Sequence, residues 1–398
     1  MFPILKRGIS AATKLVDMRI LHTSDWHLGR TFHGTSLHSY AEQLLDEMLA
    51  LVTEKNIDVV LISGDVYDQA QPRTETVQLF DRTLTRLVQA GAHVIVTSGN
   101  HDSAIRLGFG SSLLSAAGVH LITSQTQVGQ PVLLSAGGAE VAFYGIPYLE
   151  PRPIAARWGT EASHTAVLTE AMRRIQEDAA TRQVSAKIVL AHCFATGSEP
   201  SESERDISVG GVQQVPASVF SAAHYTALGH LHGRQKVTET VRYSGSLLAY
   251  SFSEQNHRKG AWILDIAPDG ALEVSEHTWA IHLTLKILKG RLEEILAPET
   301  IAAYSQAFVS ITLTDPERPA SALDRLKAHY EHVQELFFTP DGAQNRQEHS
   351  YRRTRQSHST QAICTSFYEH VRNRALTETE TTYLTSVLDQ ARTRGASE

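Results

Sequence analysis

Short apolar runs alternate with amphipathic stretches through the first hundred residues of the chain. Residues 19–22, 58–62 and 92–96 are segments of strand length that contain short apolar runs, whereas residues 40–54 and 74–89 repeat apolar side chains at helical spacing. This β-α-β-α-β order is typical of right-handed crossovers in a largely parallel sheet. The pattern therefore predicts an α/β fold.

The region from about residue 118 to residue 266 continues the same architecture. Residues 118–144 form short apolar runs separated by Gly-rich turns, and residues 162–180 have helical spacing. Further predicted strands lie at residues 187–191, 225–228, 241–243 and 261–266. Together these elements predict two stacked mixed β-sheets flanked by helices.

The pattern changes after about residue 279. Predicted strands at 308–313 and 333–338 and a predicted helix at 320–329 indicate a small α/β module. Residues 341–360 are polar and resemble a flexible linker, and residues 361–374 and 378–393 have helical spacing. We therefore predict five segments: an N-terminal extension (1–17), a main domain (18–279), a small α/β domain (280–340), a linker (341–360) and C-terminal helices (361–398).

The N-terminal extension carries a few basic side chains among small and apolar residues. It has neither a continuous apolar core nor a convincing cleavage site for a targeting peptide. We therefore expect Met18 to be the natural start of the protein.

Composition narrows the class of protein. The chain has 398 residues and a net charge of −7, and no apolar run is long enough to span a bilayer. The negative charge excludes a globally basic nucleic-acid binder but allows a local DNA-binding patch. The two cysteines favour a protein of the reducing cytoplasm, without a disulfide framework.

Side chains that can bind metals follow the predicted strands. Strand ends in an open α/β sheet are where ligand sites collect. The candidate residues occur in short motifs, which are Asp25-Trp26-His27, Gly64-Asp65, Gly99-Asn100-His101-Asp102, Ala191-His192-Cys193 and Gly229-His230-Leu231-His232.

These side chains supply carboxylate oxygens, one amide oxygen and several imidazole nitrogens. Such a mixture suits two adjacent Mn²⁺, Fe²⁺ or Zn²⁺ ions better than Mg²⁺ or Ca²⁺. Asp65 is the candidate to bridge the two ions, and paired ions are a common device for hydrolysing phosphate esters. No thiolate cluster supports a structural zinc site.

His101 is the candidate catalytic residue, and Asp102 and Asp68 are predicted to support it and the metal ligands. His101 follows Asn100 directly and could donate a proton to a leaving oxygen. Asp102 could orient the His101 ring and raise its pKa. Asp68 could similarly orient a histidine that binds a metal.

Each motif alone also fits an ordinary structural role. A Gly-Asp pair occurs in many turns, His192 could be a core histidine, and His230 and His232 could end an ordinary alternating strand. Their combination in this order, each beside a predicted strand, is what points to a metal centre.

The motif set resembles the calcineurin-like metallophosphoesterase superfamily over residues 19 to about 265. Within it, flanking segments resemble the nuclease subunits of bacterial complexes that also contain an ATPase subunit. These segments are residues 19–29, 64–68, 203–211, 244–246 and 251–254. Leu247 departs from the pattern, which usually has proline at that turn, as does the N-terminal extension.

The resemblance implies a four-layer phosphoesterase sandwich and two bound metals, usually manganese. One ion would be held by Asp25, His27, Asp65 and His232, and the other by Asp65, Asn100, His192 and His230. His101 would be the catalytic histidine near the scissile phosphate.

The resemblance also implies partners. The expected activities are ATP-dependent exonuclease action on double-stranded DNA and endonuclease action on single-stranded DNA and hairpins, in recombination, replication and repair. Residues 280–340 would form a cap that holds DNA, and residues 361–398 would dock on the coiled coil of the ATPase subunit. Two nuclease subunits would form a homodimer within a heterotetramer associated with the bacterial nucleoid.

Two other functions remain open on the metal motifs. A related phosphoesterase could act on small phosphodiesters or phosphoproteins, although the region after residue 280 has no obvious use there. A non-catalytic scaffold is the other alternative, and the intact ligand set argues against it.

Overall fold

The computed structural model describes residues 18–136, 139–207, 214–341, 360–372 and 374–395. The chain divides into two compact units, with the boundary between Leu283 and Thr284. The predicted N-terminal extension lies outside the described residues, as does nearly all of the predicted linker. Across the described ranges, none of the helices combines the length and apolarity needed to cross a bilayer.

The first unit contains a six-stranded sheet built around the apolar runs near its N-terminus. The strand order is β16-β15-β1-β4-β5-β6, with β1, β4, β5 and β6 parallel and the other two antiparallel. The strands are β1 (Met18–Thr23), β4 (Val59–Ser63), β5 (His93–Thr97), β6 (Val119–Ile122), β15 (Gly260–Ile266) and β16 (Leu272–Thr278).

A second six-stranded sheet has the order β13-β14-β12-β9-β8-β7. Its central strands β14, β12, β9 and β8 are parallel, and β13 and β7 are antiparallel edges. The strands are β7 (Val132–Ala136), β8 (Ala139–Ile146), β9 (Ala186–His192), β12 (Tyr225–Gly229), β13 (Gln235–Lys236) and β14 (Val241–Tyr243). Two short pairs complete the strands of this unit, β2 (Thr31–Phe32) with β3 (Thr35–Ser36) and β10 (Phe194–Ala195) with β11 (Gln214–Val215).

The described residues of the first unit include six α-helices. They are α1 (His38–Lys55), α2 (Thr74–Gln89), α3 (Ala104–Leu107), α4 (Ser111–Ser115), α5 (Pro151–Trp158) and α6 (His164–Ala179). The apolar stripe of α6, including Leu168 and Met172, packs against Tyr144 and Val189 of the second sheet. Such a stripe is what an amphipathic helix buries against a sheet.

The two sheets pack face to face through a continuous apolar core. Ile20 and Leu61 of the first sheet pack with Ile188 and Leu190 of the second, and all four are fully buried. The unit therefore has four layers, helix-sheet-sheet-helix. This arrangement confirms the α/β class predicted from the sequence, with two mixed sheets flanked by helices.

The second unit contains a small parallel sheet of order β17-β18-β19. Its elements are β17 (Leu285–Gly290), α7 (Leu292–Ile295), α8 (Pro298–Tyr304), β18 (Phe308–Leu313), α9 (Ala322–Lys327), β19 (His332–Phe338), α10 (Thr360–Arg372) and α11 (Glu378–Gly395). Val309 and Ile311 of the central strand pack on Leu326 of α9. Helix α9 is shorter than predicted because it begins only after Ser321, which has a left-handed backbone at φ 50°.

A histidine ties the two sheets of the first unit together. The ring of His22, on β1, lies against β12, with Nε2 3.2 Å from the Leu228 carbonyl oxygen and Nδ1 2.9 Å from the Tyr225 hydroxyl. Since the carbonyl only accepts, Nε2 donates and Nδ1 accepts from the hydroxyl. Burial lowers the pKa of His22 to about 3, so this ring is neutral in the folded protein.

We expect His22 to contribute to loss of stability in acid. Below pH 6.5 the unfolded chain protonates this ring while the folded protein does not, so the free energy of unfolding falls by up to about 1.4 kcal/mol per pH unit for this one group. Denaturant unfolding of His22→Gln between pH 7 and pH 4 should show a flatter pH dependence than the wild type. His93→Gln, at an exposed ring, is the control, and an unchanged slope in His22→Gln would contradict this account.

Candidate metal centre

The candidate side chains project from loops at the carboxyl ends of parallel strands. Asp25 and His27 follow β1, Asp65 follows β4, and Asn100 follows β5, and these three strands are parallel neighbours. In the second sheet, His192 ends β9, and His230 and His232 follow its parallel neighbour β12. The strand ends of both sheets therefore bring all seven candidate ligands into one cluster, in which every side chain except the partly buried Asn100 is buried.

One half of the cluster is formed by Asp25, His27 and His232. One ligand atom from each lies within 4.8 Å of the other two, and His27 Nε2 is 3.2 Å from His232 Nε2. Asp65 Oδ2 lies 3.6 Å from His27 Nε2. All four side chains are buried.

The other half is formed by Asp65, Asn100, His192 and His230. His192 Nε2 lies 3.3 Å from Asp65 Oδ2 and 3.1 Å from Asn100 Oδ1. The same amide oxygen is 3.2 Å from His230 Nδ1. Asp65 thus lies between the two halves and faces an imidazole of each.

The backbone around the cluster takes conformations that non-glycine residues rarely adopt. Asp25, His27, Asp65 and His230 have φ values of 50°, 40°, 45° and 103°. Left-handed backbone at a non-glycine residue costs free energy and persists where surrounding structure enforces it. Here the main chain is fixed by hydrogen bonds, including Asp25 N–H to the Gly64 carbonyl (3.1 Å) and His230 N–H to the Asp25 carboxylate (3.0 Å).

Two glycines allow the loops to approach this closely. A Cβ on Gly99 would lie 2.1 Å from Asp65 Oδ1, and a Cβ on Gly229 would lie 1.8 Å from the Ser63 carbonyl oxygen. Any larger residue would displace the carboxylate or the loop. The glycines of these motifs therefore serve close packing around Asp65.

Electrostatics in the cluster follow from burial and from the neighbouring charges. Burial raises the pKa of Asp25 to about 8 and lowers the pKa of His27 to about 4 and that of His230 to about 3. Although burial opposes it, the Asp65 carboxylate raises the pKa of His192 to about 9, and His192 in turn holds the pKa of Asp65 below its usual range. Buried acceptor atoms in this number favour a bound cation.

Two of the candidate ligand rings have an oxygen atom close to the outer nitrogen. His192 Nδ1 lies 2.9 Å from the Ser63 carbonyl oxygen, and His27 Nδ1 lies 3.3 Å from Asp68 Oδ1. The same oxygen, Asp68 Oδ1, lies 3.1 Å from Arg30 Nη1. An oxygen acceptor at the outer ring nitrogen holds the ring so that the inner nitrogen can bind a cation once it has lost its proton, which is a common arrangement at metal-binding histidines.

His101 lies beside the cluster rather than in its centre. The main-chain N–H of His101 donates to Asp65 Oδ1 at 2.9 Å, and the centroid of the His101 ring lies 4.8 Å from the centroid of the His27 ring. Its Nδ1 is 2.9 Å from the Asp68 carbonyl oxygen. Since the carbonyl accepts, Nδ1 carries the proton, and Nε2 is left as the reactive nitrogen.

The structure corrects the interpretation of Asp102. Its carboxylate accepts main-chain N–H groups from Gly99 (2.9 Å), Tyr67 (2.9 Å) and Val66 (3.1 Å) and makes no hydrogen bond to the His101 ring. The sequence interpretation failed because adjacent residues on a turn point in different directions. Asp102 fastens the loops after β4 and β5 to each other, and the Asp68 carbonyl orients His101.

The sequence analysis did not predict a second group of polar side chains, three buried and one partly buried, which lies next to His232. It consists of Ser203, Glu204, Glu254 and Lys259, of which the first three lie in segments noted only for their resemblance. The unusual density of Ser and Glu in residues 201–206 and 251–254 was the available signal.

We expect Gly99→Ala to weaken binding of a divalent cation because the new Cβ would push Asp65 aside. A ligand at 100 times its Kd stabilises a protein by about 2.7 kcal/mol, so the wild type should melt at clearly higher temperature with Mn²⁺ than with EDTA. Gly99→Ala should lose most of this shift. Gly34→Ala, whose Cβ would meet nothing within 4 Å, should keep the shift, although alanine at its left-handed backbone (φ 87°) lowers the melting temperature both with and without Mn²⁺. A full Mn²⁺ shift in Gly99→Ala would show that this packing is not needed.

Comparison with known proteins agrees with the geometry. Residues 18–232 match the calcineurin-like phosphoesterase family, and residues 283–372 match the family described as the type 5 capsule protein repressor C-terminal domain. The D subunit of the SbcCD nuclease from Bacillus subtilis (strain 168) is 36% identical over 66% of this chain and 68% of that protein. The corresponding SbcCD nuclease subunit of Staphylococcus epidermidis is 27% identical over 79% of this chain and 84% of that protein.

The similarity of this chain to proteins of solved structure is low. The protein TT1561 of Thermus thermophilus aligns with a TM-score of 0.39 and 14% identity over 66% of this chain and 99% of that one. The family assignment therefore depends on the sequence matches. The chain belongs to the calcineurin-like phosphoesterase family and, within it, to the D subunits of SbcCD nucleases.

Proposed function

We propose that this protein is the two-metal nuclease subunit of an SbcCD complex and hydrolyses phosphodiester bonds of DNA. The observation that carries the proposal is the position of Asp65 between two groups of ligand atoms, with His27 Nε2 3.6 Å and His192 Nε2 3.3 Å from its Oδ2. A carboxylate in this position can bridge two cations. The family membership supports the same conclusion.

The ligand sets that we propose follow the two halves of the cluster. One ion would bind Asp25, His27, Asp65 and His232, and the other would bind Asp65, Asn100, His192 and His230. Acceptor atoms face one another in both halves, since His27 Nε2 lies 3.2 Å from His232 Nε2, and His192 Nε2 lies 3.1 Å from Asn100 Oδ1. Such contacts require a proton or a cation between the atoms, and a divalent ion fits both places.

The mixture of oxygen and nitrogen ligands suits Mn²⁺, Fe²⁺ or Zn²⁺. Of these we propose Mn²⁺ as the working ion, because the resemblance to the phosphoesterase family implies manganese. Bound in pairs, such ions polarise the phosphate and lower the pKa of bound water. The residues of the chain would position these groups and limit access of solvent, since the proposed ligand side chains other than Asn100 are buried. His101 Nε2 would hold the proton given to the leaving oxygen, a role worth about 10²–10⁴-fold in rate. Asp68 would fix both His27 and His101, through its carboxylate and its carbonyl.

The proposal also covers the DNA substrates, the partner subunit and the place of the protein in the cell. Together with the SbcC ATPase subunit we expect ATP-dependent exonuclease activity on double-stranded DNA, and endonuclease activity on single-stranded DNA and hairpins. The small α/β domain of residues 280–340 would act as the cap over DNA. Such substrates would place the protein at the nucleoid.

An exposed apolar ridge after the active-site loop supports a homodimer. Ile105, Phe109 and Leu113, on and between α3 and α4, are 88%, 85% and 83% exposed. Apolar side chains so exposed and so close in sequence mark an interaction surface, and a twofold axis lets one surface pair with itself. In the second unit, Phe367 of α10 and Tyr383 and Val387 of α11 are also exposed, which supports docking of these helices on SbcC.

We expect His101→Ala and Asp65→Asn to separate chemistry from metal binding. His101→Ala should lower cleavage of linear duplex DNA in Mn²⁺ by about 10²–10⁴-fold while keeping Mn²⁺ affinity, since His101 is not among the proposed ligands. Asp65→Asn should lose both. The measurement is release of labelled nucleotides with and without SbcC and ATP, and Mn²⁺ binding is measured separately.

The matched control is His93→Ala, since His93 lies at the opposite end of the strand that leads to His101. Wild-type cleavage rates in His101→Ala would refute its catalytic role. A preparation that leaves DNA intact but hydrolyses a small phosphodiester would favour the alternative phosphoesterase.

We expect the two exposed apolar surfaces to have separate partners. Phe109→Glu should convert the dimer to a monomer in light scattering but keep SbcC binding, because a buried charge destabilises an apolar interface. Phe367→Glu should leave the dimer intact and weaken SbcC binding. A dimeric Phe109→Glu protein would disprove the assignment of the ridge.

A further inference from the structure

A buried polar cluster surrounds His232 on the side away from the proposed metals. We call Ser203, Glu204, Glu254 and Lys259 the Glu254 cluster. The last three are only 3%, 1% and 5% exposed. Charged side chains are rarely buried to this extent unless they are paired, so the arrangement calls for a functional explanation.

Lys259 neutralises Glu254 and holds the main chain of His232. Its Nζ donates to Glu254 Oε2 at 2.5 Å, to the His232 carbonyl oxygen at 2.7 Å and to Ser246 Oγ at 2.8 Å. These three bonds use all three hydrogens of the ammonium group. Glu254 is therefore an ionised carboxylate that can only accept hydrogen bonds.

The hydroxyl of Ser203 connects Glu254 to the His232 ring. Ser203 Oγ lies 2.7 Å from Glu254 Oε1 and 2.7 Å from His232 Nδ1. A hydroxyl has one hydrogen, and the carboxylate has none to give, so Ser203 donates to Glu254. Its oxygen must then accept from His232, which places the ring proton on Nδ1 and the lone pair on Nε2.

Glu204 restrains the same residue at a third point. Its Oε1 accepts the main-chain N–H of His232, and its Oε2 accepts the N–H of Ser201. The ring, the N–H and the carbonyl of His232 are thus each held by a different member of the cluster. His192, by comparison, is oriented by a main-chain carbonyl alone at its Nδ1.

We propose that Ser203 and Glu254 are positioning residues that fix the tautomer of His232 and so set the affinity of the cation held with Asp25 and His27. The inference rests on the proposed two-metal function. The ion-paired carboxylate acts through the hydroxyl to keep Nε2 unprotonated and aimed at His27 Nε2, 3.2 Å away. The second ion, held by Asn100, His192 and His230, does not depend on this arrangement.

The test is a calorimetric titration of the full chain with Mn²⁺ in the absence of DNA. Removing a group that orients a metal ligand typically lowers metal affinity by about 10–100-fold. Ser203→Ala and Glu254→Gln should therefore lower the affinity for one Mn²⁺ by about this factor and leave the other within twofold. Ser203→Thr keeps the hydroxyl and should restore the affinity.

Ser310→Ala is the matched control, because Ser310 also donates to a glutamate, Glu335, but in the second unit. Melting temperatures in EDTA confirm that each variant folds, and a purely structural role would change these temperatures without separating the two affinities. Unchanged affinities in Ser203→Ala and Glu254→Gln would overturn the inference, as would a Ser203→Thr protein that binds no better than Ser203→Ala. A wild-type protein that binds fewer than two Mn²⁺ ions would instead overturn the proposed two-metal function.

Discussion

The burial of one carboxylate among imidazoles is the constraint on which the first unit depends. Asp65 is 2% exposed and faces His27 and His192, which come from different sheets. To hold these three together, two six-stranded sheets must stack with the carboxyl ends of their parallel strands at one edge, and the loops must adopt left-handed backbone at Asp65 and His27. The cost of that strain and burial is offset where a cation binds.

The supporting contacts show how such a centre is kept in one arrangement. Three of the candidate ligand rings have an acceptor close to the outer nitrogen, which is the Ser63 carbonyl, the Asp68 carboxylate or the Ser203 hydroxyl. Ser63 ends β4 and Asp68 follows the same strand, whereas Ser203 lies between β10 and β11. Because these partners come from distant parts of the chain, the geometry of the candidate ligands depends on the fold of the whole unit. Asp102 contributes in the same way by fastening main-chain N–H groups of two adjacent loops.

Much of this architecture could be predicted from the sequence, because its signals are local. The helix predicted at residues 74–89 has the same bounds as α2, and the strand predicted at 241–243 has those of β14. The ligand candidates were found because each follows a strand. Helices α3 and α4 were missed, since four or five residues carry too little periodicity. The contacts of Ser203 with His232 and with Glu254 join residues that are 29 and 51 positions apart in the chain, so they leave no periodic signal in the sequence. The direction of the Asp102 carboxylate depends on tertiary packing and leaves no such signal either.

The most direct measurement of the central claim is anomalous diffraction at the manganese edge from crystals of the protein grown with Mn²⁺. A two-metal centre would give two peaks about 3.5–4 Å apart, the separation usual for paired catalytic ions. One peak should lie among Asp25, His27 and His232, the other among Asn100, His192 and His230, with Asp65 between them. A single peak, or two peaks that do not share Asp65, would contradict the two-metal centre.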